Sequence, residues 1–435
     1  MAFSLHGVRT PHRKHTVGQQ VFRLPVPKTV TLPTVMHIGK PATPVVKVGD
    51  HVDVGTLIAE QNGPISSPVY ASVSGKITKI SDLTLSGGTK APAITIESDG
   101  AMTTADTVVP PVIDSAEDLV EAIRMSGIVG LGGAGFPTYV KFKTDFSKIQ
   151  ELVVNGAECE PYITSDSVTM TERSEEMAVA FRAMERHFGI RKIVIGIENN
   201  KPAAVASMRK LAEADSCISI RVLPAKYPQG GEKVLVYHTT GKIIPEGKLP
   251  ADVGCIVCNC TTVAAIGNYL MTGMPLVEKC VTVDGAMVRK PGNVWVPIGT
   301  ALSAVFEACG GLKGDPAKVL YGGPMMGLTV PDLSVPILKN TNAILALSDK
   351  EAKLPPTTAC IRCGACTNHC PFGINPAAIA LAYAKKDGEA LSKLGVNLCM
   401  SCGSCSFGCP ANRPLVQTNQ LAKIFLREEK AKENK

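Results

Sequence analysis

Eight of the chain's fifteen cysteines fall between residues 360 and 409, in two runs of one spacing. Cys360, Cys363, Cys366 and Cys370 make the first run. Cys399, Cys402, Cys405 and Cys409 make the second, and a proline closes each, Pro371 and Pro410. The pattern C-x2-C-x2-C-x3-C-P leaves few folds open. Three thiolates two residues apart wrap three corners of one iron–sulfur cubane. The small residues Gly364, Ala365, Gly403 and Ser404 let the loop backbone sit close to it. The fourth cysteine lies past a turn and points at the other cluster. Cys360, Cys363, Cys366 and Cys409 are therefore assigned to one four-iron cluster, and Cys399, Cys402, Cys405 and Cys370 to a second. Zinc favours two spaced pairs around one tetrahedral ion, which these runs do not supply. His369 stands inside the first run, but with four cysteines present it is not expected to be a ligand.

The rest of the composition agrees with a redox protein. The chain has 435 residues, room for about three domains. So many cysteines with no visible leader argue for metal or redox chemistry and against a disulfide scaffold. The N-terminus, MAFSLHGVRTPHRKH, has no apolar stretch before a small-residue cleavage site. The uncharged stretch 253–277 is interrupted by Asn259, Asn268, Gly273 and Pro275, so no membrane span is expected. The net charge of +7 is thinly spread, and Arg13, Lys14 and the 427–435 tail read as solvated surface. No basic stripe carries interleaved aromatics, which argues against nucleic-acid binding.

Four regions follow along the chain. Residues 1–110 alternate apolar and polar residues around Gly49, Asp50, Gly55 and Gly75, the mark of half-buried strands with tight turns. This resembles the barrel-sandwich fold of biotinyl and lipoyl carriers. Their modified lysine has no counterpart here, because 61–71 contains no Lys, so a structural or docking module is expected. Residues 111–275 alternate helix and strand, which suggests a largely parallel sheet with helices packed on it. Ser115 is placed to cap the first helix, and Pro202 to open a later one. Residues 276–348 return to strands and include, near their end, the glycine-rich turn Gly322–Gly327, GGPMMG. Residues 349–435 hold the cysteine runs. The Ala- and Leu-rich linker 375–394 reads as helical, which suggests an α-helical two-cluster ferredoxin module.

A second motif lies in the α/β region. Gly130, Gly132, Gly133 and Gly135 sit in GLGGAGFPT, which contains a G-x-G-x-x-G. The usual dinucleotide fingerprint follows a strand and opens a helix. Here a helix precedes the loop, so an ordinary Rossmann site is disfavoured. Backbone N–H groups in such a loop can still cradle a phosphate.

GIVGLGGAGFPTYVK followed by VVNGAECEP resembles the flavin-bearing, NADH-oxidising subunit of respiratory complex I. Tyr227–Glu232 (YPQGGE) and Val257–Thr262 (VCNCTT) fit the same resemblance. Over essentially the whole chain the match is closer to the RnfC family, peripheral subunits of Rnf ion-translocating electron-transport complexes. The cobalamin-reductase-like PduS family shares the parts, but with the GGAGFPT domain first. The resemblance implies a barrel-sandwich module, an FMN and NADH domain, a soluble-ligand-binding β-grasp domain and a double-cluster module. It implies that Gly130, Gly132, Gly133, Lys141, Asn155, Glu158, Asn259 and Thr262 hold FMN. It implies that Phe136, Glu160 and Glu232 meet NADH.

Ala157, Gly231 and Cys258 depart from the complex I pattern, where Asp, Glu and Asn are usual. Taken without the family, Glu158 and Glu160 read as loop carboxylates, Cys255, Cys258 and Cys260 as buried thiols lacking a fourth metal ligand, and Met325 and Met326 as packing. No acid–base residue is needed for hydride transfer. The function implied is that of a ferredoxin:NAD+ oxidoreductase subunit, on the cytoplasmic side of a membrane and bound to partner subunits. The competing expectations are a cobalamin reductase and an electron wire without nucleotide binding.

Overall fold

Alternation does fold as strands in the N-terminal region of the computed structural model, which describes residues 6–88 and 90–433. Thr29–Pro33, Lys90–Ser98, Gly75–Thr84 and His51–Val52 lie side by side in an antiparallel sheet. Thr43–Pro44, Leu57–Glu60 and Val69–Tyr70 form a smaller one. Val30, Leu32, Ile58, Ile77, Ile94 and Ile96 point into one core, which continues without a break into the α/β region. Gly75 marks a place where only glycine fits: its φ is +150°, and a Cβ there would lie 2.0 Å from the Glu97 carbonyl oxygen. Segment 61–71, the tip in a carrier, is packed against its neighbours. Gln61 donates to the Tyr139 hydroxyl, which donates to the Pro64 carbonyl. Lys339, fully buried, donates to Ser67 Oγ and to the carbonyls of Pro68 and Gly127.

The α/β region is built on four parallel strands, β1 (Glu151–Gly156), β2 (Ile193–Glu198), β3 (Ile218–Leu223) and β4 (Cys255–Asn259). Their order in the sheet is β3-β2-β1-β4. Helices start where the sequence marks them. Ser115 caps Ala116–Met125 in a capping box with Asp118, and Pro202 opens Pro202–Ala214. Helix α1 (Ser165–Glu172) follows β1, and α2 (Cys260–Thr272) follows β4 directly. The chain proceeds from β1 through β2 to β3 on one side, and β4 lies on the other. In open α/β sheets a ligand crevice forms outside the carboxyl ends of strands at such a reversal.

The third region forms a six-stranded sheet. One edge strand comes from far away: Phe22–Arg23 pairs in parallel with Gly292–Pro297. The N-terminal segment thus threads across the molecule before entering the sandwich. It also carries a correction to the expected solvated pair at Arg13 and Lys14. Lys14 Nζ donates to the carbonyls of Glu158, Glu160 and Ile163 at 3.0, 3.1 and 2.5 Å. Arg13 lies over the Tyr162 ring and pairs with Glu351. Neither contact leaves a local trace in the sequence, because the partners are more than a hundred residues away.

The cluster region is helical. The linker expected as one helix is two, Pro376–Ala384 and Gly388–Lys393. Lys386 has a positive φ of 55°, and Asp387 caps the second helix. The tail expected to be a solvated end continues as helix α3 (Leu415–Glu433). Leu415, Asn419, Ala422 and Leu426 form its buried stripe. Among the described residues, no helix is long and apolar enough to cross a membrane.

Candidate functional site

Asn155 lies near the end of β1 and Asn259 ends β4, and the two are register partners at the reversal of the sheet. Asn155 Nδ2 donates to the Gly230 carbonyl at 2.9 Å. Asn259 caps α2, its Oδ1 accepting from the N–H groups of Thr261 and Thr262. The glycine loop folds back onto this helix start. A Cβ on Gly132 would lie 2.6 Å from Asn259 Nδ2, so a side chain there would collide. Gly130 N–H bonds to the Phe136 carbonyl at 2.8 Å, which pins the loop's two ends together.

The loop is held from several sides. Leu131 N–H donates to Thr262 Oγ1 at 3.0 Å, and the Leu131 carbonyl accepts from buried Lys279 at 2.6 Å. The Gly133 carbonyl accepts from Asn340 at 2.8 Å, and the Gly135 carbonyl from Ile38 N–H at 3.0 Å. Gly132, Gly133 and Ala134 remain exposed. Lys141 comes to the same place, donating to the Val257 carbonyl at 2.8 Å and to Glu232 at 3.3 Å. The structure therefore brings Gly130, Gly132, Gly133, Lys141, Asn155, Asn259, Thr262 and Glu232 to one crevice, with half-buried Phe136 closing the loop. A cavity of about 460 Å³ lies behind the loop, lined by Leu131, Thr261, Ala264, Asn268, Lys279 and Trp295.

Two expected ligand contacts hold protein groups here. Glu158 has a positive φ of 48° and turns inward. Its carboxylate accepts from Asp166 N–H at 2.6 Å and Ser167 Oγ at 2.8 Å, at the start of α1. Burial pushes its pKa up to about 7, against the pull of Lys14. Glu160 accepts from the N–H groups of Met325 and Met326, at 3.1 and 2.9 Å. It thus clamps the GGPMMG turn, and burial pushes it up to about 7 as well. A Cβ on Gly323 would lie 2.3 Å from this carboxylate, which accounts for glycine in that turn.

Some site residues escaped the sequence reading. Asp166 accepts from Asn259 Nδ2 at 2.8 Å and Thr261 Oγ1 at 2.7 Å, and so orients the cap of α2. Lys14 and Lys279 act from other regions. None has a sequence signature, since each is joined to the site only by tertiary contact. Cys258 and Cys255 are buried thiols, pushed up to about 11 chiefly by burial.

The second cysteine run gathers around a cavity lined by Cys399, Cys402 and Cys405 together with Cys370 of the first run. This is the crossed set expected from the spacing. Four thiolates on one zinc ion would place their sulfurs about 3.8 Å apart, given Zn–S bonds of about 2.3 Å. Among the described residues, Glu185, Asp215 and Cys217 are the one group whose ligand atoms all lie within 4.8 Å of one another. Among the described residues, no three cysteines of the two runs meet that limit. The first run is tied to the chain just past Cys409: Thr358 N–H bonds to the Ala411 carbonyl, and Thr357 Oγ1 to the Asn412 carbonyl, both at 3.0 Å. His369, inside that run, lies against Gly408.

The crevice and the second run touch. The Tyr227 hydroxyl donates to the Cys402 carbonyl at 2.7 Å. Val8, Tyr227, Cys402, Cys159, Met325 and Met400 pack as one cluster. A Cβ on Gly231 would lie 2.3 Å from Met400 Cε. One departure from the complex I pattern thereby acquires a reason: the space of a side chain at 231 is filled by Met400, from between Cys399 and Cys402.

Comparison with known proteins matches four family models along the chain. They are an RnfC barrel sandwich hybrid domain at residues 3–101, a Nuo51 FMN-binding domain at 123–268, an SLBB domain at 280–329 and a 4Fe-4S dicluster domain at 356–413. Among curated relatives, the C component of the proton-translocating ferredoxin:NAD(+) oxidoreductase complex of Clostridium ljungdahlii is 38% identical over 85% of this chain and 81% of its own length. The C component of the Na(+)-translocating ferredoxin:NAD(+) oxidoreductase complex of Acetobacterium woodii is 39% identical over 86% of each chain. The C component of the ion-translocating oxidoreductase complex of Rhodobacter capsulatus is 38% identical over 100% of this chain and 85% of its own. Among solved structures, an NAD+-reducing NiFe-hydrogenase in the H2-reduced state aligns with a TM-score of 0.49 and 18% identity, over 72% of this chain and 63% of that one.

Proposed function

The chain belongs to the RnfC family, the C components of ion-translocating ferredoxin:NAD(+) oxidoreductase complexes, and we propose from that premise that it passes electrons between NAD(H), FMN and two 4Fe-4S clusters to partner subunits. The observation that carries the route is the contact of Gly231 and Tyr227 with Met400 and Cys402. It sets the second run against the crevice, with the first run farther out.

The residues present fit the groups. Exposed backbone at Gly132 and Gly133, the Lys141 ammonium and the start of α2 suit a phosphate, and a side chain at 132 would fill the cradle. FMN bound there would supply the exchange between a two-electron hydride donor and one-electron acceptors. Gly130 closes the loop, Thr262 and Lys279 fix Leu131, and Asn155 and Asn259 line the floor. Glu158 supports that floor from beneath by holding α1, and Glu160 by holding the turn that meets the second run. Phe136 and Glu232 are left to face the nucleotide. Cys399, Cys402, Cys405 and Cys370 would hold the inner cluster, and Cys360, Cys363, Cys366 and Cys409 the outer one.

With clusters held by these cysteines, the route from the crevice would run past Met400 to the inner set, then to the outer set, where Cys360 and Cys363 are exposed. The functional units are residues 1–110, 111–275, 276–348 and 349–435, with the 22–23 segment lent to the third. The exposed exit suits a docked partner of a membrane complex, and the reading puts the chain at the periphery of that complex, on its cytoplasmic side. Anaerobic reconstitution with FMN, iron and sulfide, then titration with NADH, tests this reading. Flavin bleaching followed by cluster EPR signals is expected. Clusters that form but never respond to NADH would reduce the chain to a wire.

A further inference from the structure

Helix α3 carries an amide where its packing calls for a hydrocarbon. Leu415, Asn419, Ala422 and Leu426 share the buried stripe, and Asn419 is fully buried. It lines the same cavity as Cys370, Cys399, Cys402 and Cys405, whose remaining wall includes Phe372, Ile374 and Val416. Asn419 Nδ2 donates to Cys399 Sγ at 3.7 Å. Its Oδ1 has no hydrogen-bond partner among the described residues. One turn on, Lys423 Nζ donates to the Cys399 carbonyl at 2.9 Å. The helix thus grips the first cysteine of the second run by both its sulfur and its backbone. A buried amide with one group unpaired is costly, and packing alone would be met by Leu or Ala.

The two runs supply an internal control. With Cys360 aligned on Cys399 and Cys370 on Cys409, the counterpart of Asn419 is Ala380, in helix Pro376–Ala384. The first run therefore has no amide at this position.

We propose that Asn419 is a positioning residue that raises the reduction potential of the inner cluster by donating an N–H to the Cys399 thiolate. The proposal rests on the reading that these four cysteines hold a cluster. Reduction adds negative charge that spreads onto the sulfurs. A donor N–H stabilises the reduced form more than the oxidised one, and hydrogen bonds to sulfur are among the protein's means of setting cluster potentials. The amide is oriented by its surroundings: a cluster-bound thiolate accepts and has no proton to donate, so the NH2 end faces it. The effect falls on the cluster nearer the crevice, which Asn419 makes the better acceptor, while the outer cluster lacks the aid.

The test is an EPR-monitored redox titration of the full-length reconstituted chain. Asn419→Leu should lower the midpoint of one cluster by the equivalent of about tenfold in electron affinity, about 59 mV for a one-electron couple, and leave the other unmoved. Ala380→Asn should raise the other. Wild-type midpoints for both clusters in Asn419→Leu would overturn the proposal. If Leu costs that cluster its iron, Asn419→Ala removes the amide without adding bulk and carries the same titration; loss of the cluster in both variants overturns a tuning role in favour of a holding one. Cys399→Ala separates this from the underlying reading. Unchanged iron content and both EPR signals intact in that variant would remove the four-cysteine assignment itself, whatever Asn419 does.

Discussion

Cys360 and Cys363 of the first run are exposed to solvent, while Cys399, Cys402 and Cys405 of the second are buried. The spacing of the two runs is identical. What differs is the company each keeps. The second run rests on Tyr227, Gly231 and Met325, and α3 covers its far side through Asn419 and Lys423. The first is tied mainly to its own module, through Thr357 and Thr358. Spacing therefore decides what a cysteine run can bind, and burial decides where that run stands in a chain of electron carriers. Solvent exposure and hydrogen bonds to sulfur both set cluster potentials, so on the proposed route two runs of one pattern take two different tasks.

The sharpest way to break the comparison is to remove the cysteine that crosses between the runs. Cys370→Ala should abolish the EPR signal of the inner cluster and spare that of the outer one, although Cys370 belongs to the first run. It should also stop NADH-driven electron delivery to an external acceptor, because the inner relay is missing. Loss of the outer signal instead would reverse the assignment.

The next effect tests the contact that makes the second run the inner one. Gly231→Glu restores the side chain usual in the complex I pattern and drives it into Met400. Stopped-flow spectroscopy should show flavin reduction by NADH at its ordinary rate. Transfer from flavin to clusters should slow roughly tenfold, the consequence of about 1.4 kcal/mol in the barrier. Adding Met400→Ala should restore part of the rate by making room.

A smaller effect follows from Glu160, which holds Met325 under Gly403 of the second run. Burial raises this carboxyl from 4.5 to about 7. A raised acid holds its proton more readily folded than unfolded. Its contribution to stability is complete below about pH 4.5 and is lost as pH rises through about 7. Glu160→Gln removes that titration, so the melting temperature of the variant should fall less than that of the wild type across this window. The smallest effect belongs to the outer run. Thr357→Val removes the hydroxyl bond to the Asn412 carbonyl and should cost about 0.5–1.5 kcal/mol in denaturant unfolding of the loaded chain, with the inner cluster's signal unaltered.

Much of the fold was legible because its signals are local. Alternation around Gly75, the Ser115 cap and the Pro202 start each depend on a few neighbouring residues, and each appears where expected. The linker helix broke in two because Lys386 and Asp387 turn the chain, a short-range signal outweighed in the reading by helical composition. The candidate site was legible in its loop and strand ends, Gly130 to Gly133, Asn155 and Asn259, since these are the points at which a parallel sheet presents backbone to a ligand. Asp166, Lys14, Lys279 and Asn419 were not legible. Each reaches the site from a distant stretch, and an isolated Lys, Asp or Asn in sequence looks like surface.

The amino-acid sequence by itself determined the spacing from which the ligand sets are proposed, because thiolate spacing along a short loop is a matter of covalent geometry. It also determined the order of the modules and the start of the helices at Ala116, Pro202 and Pro376. Only the tertiary structure decided which set of four thiolates is inner and which is outer. It gave the Glu158 and Glu160 carboxylates protein donors at α1 and at the GGPMMG turn, and it gave the glycine at 231 a neighbour in Met400. These outcomes depend on which surfaces meet, and burial, which sets both the cost of a charge and the worth of a hydrogen bond, exists only once they have met.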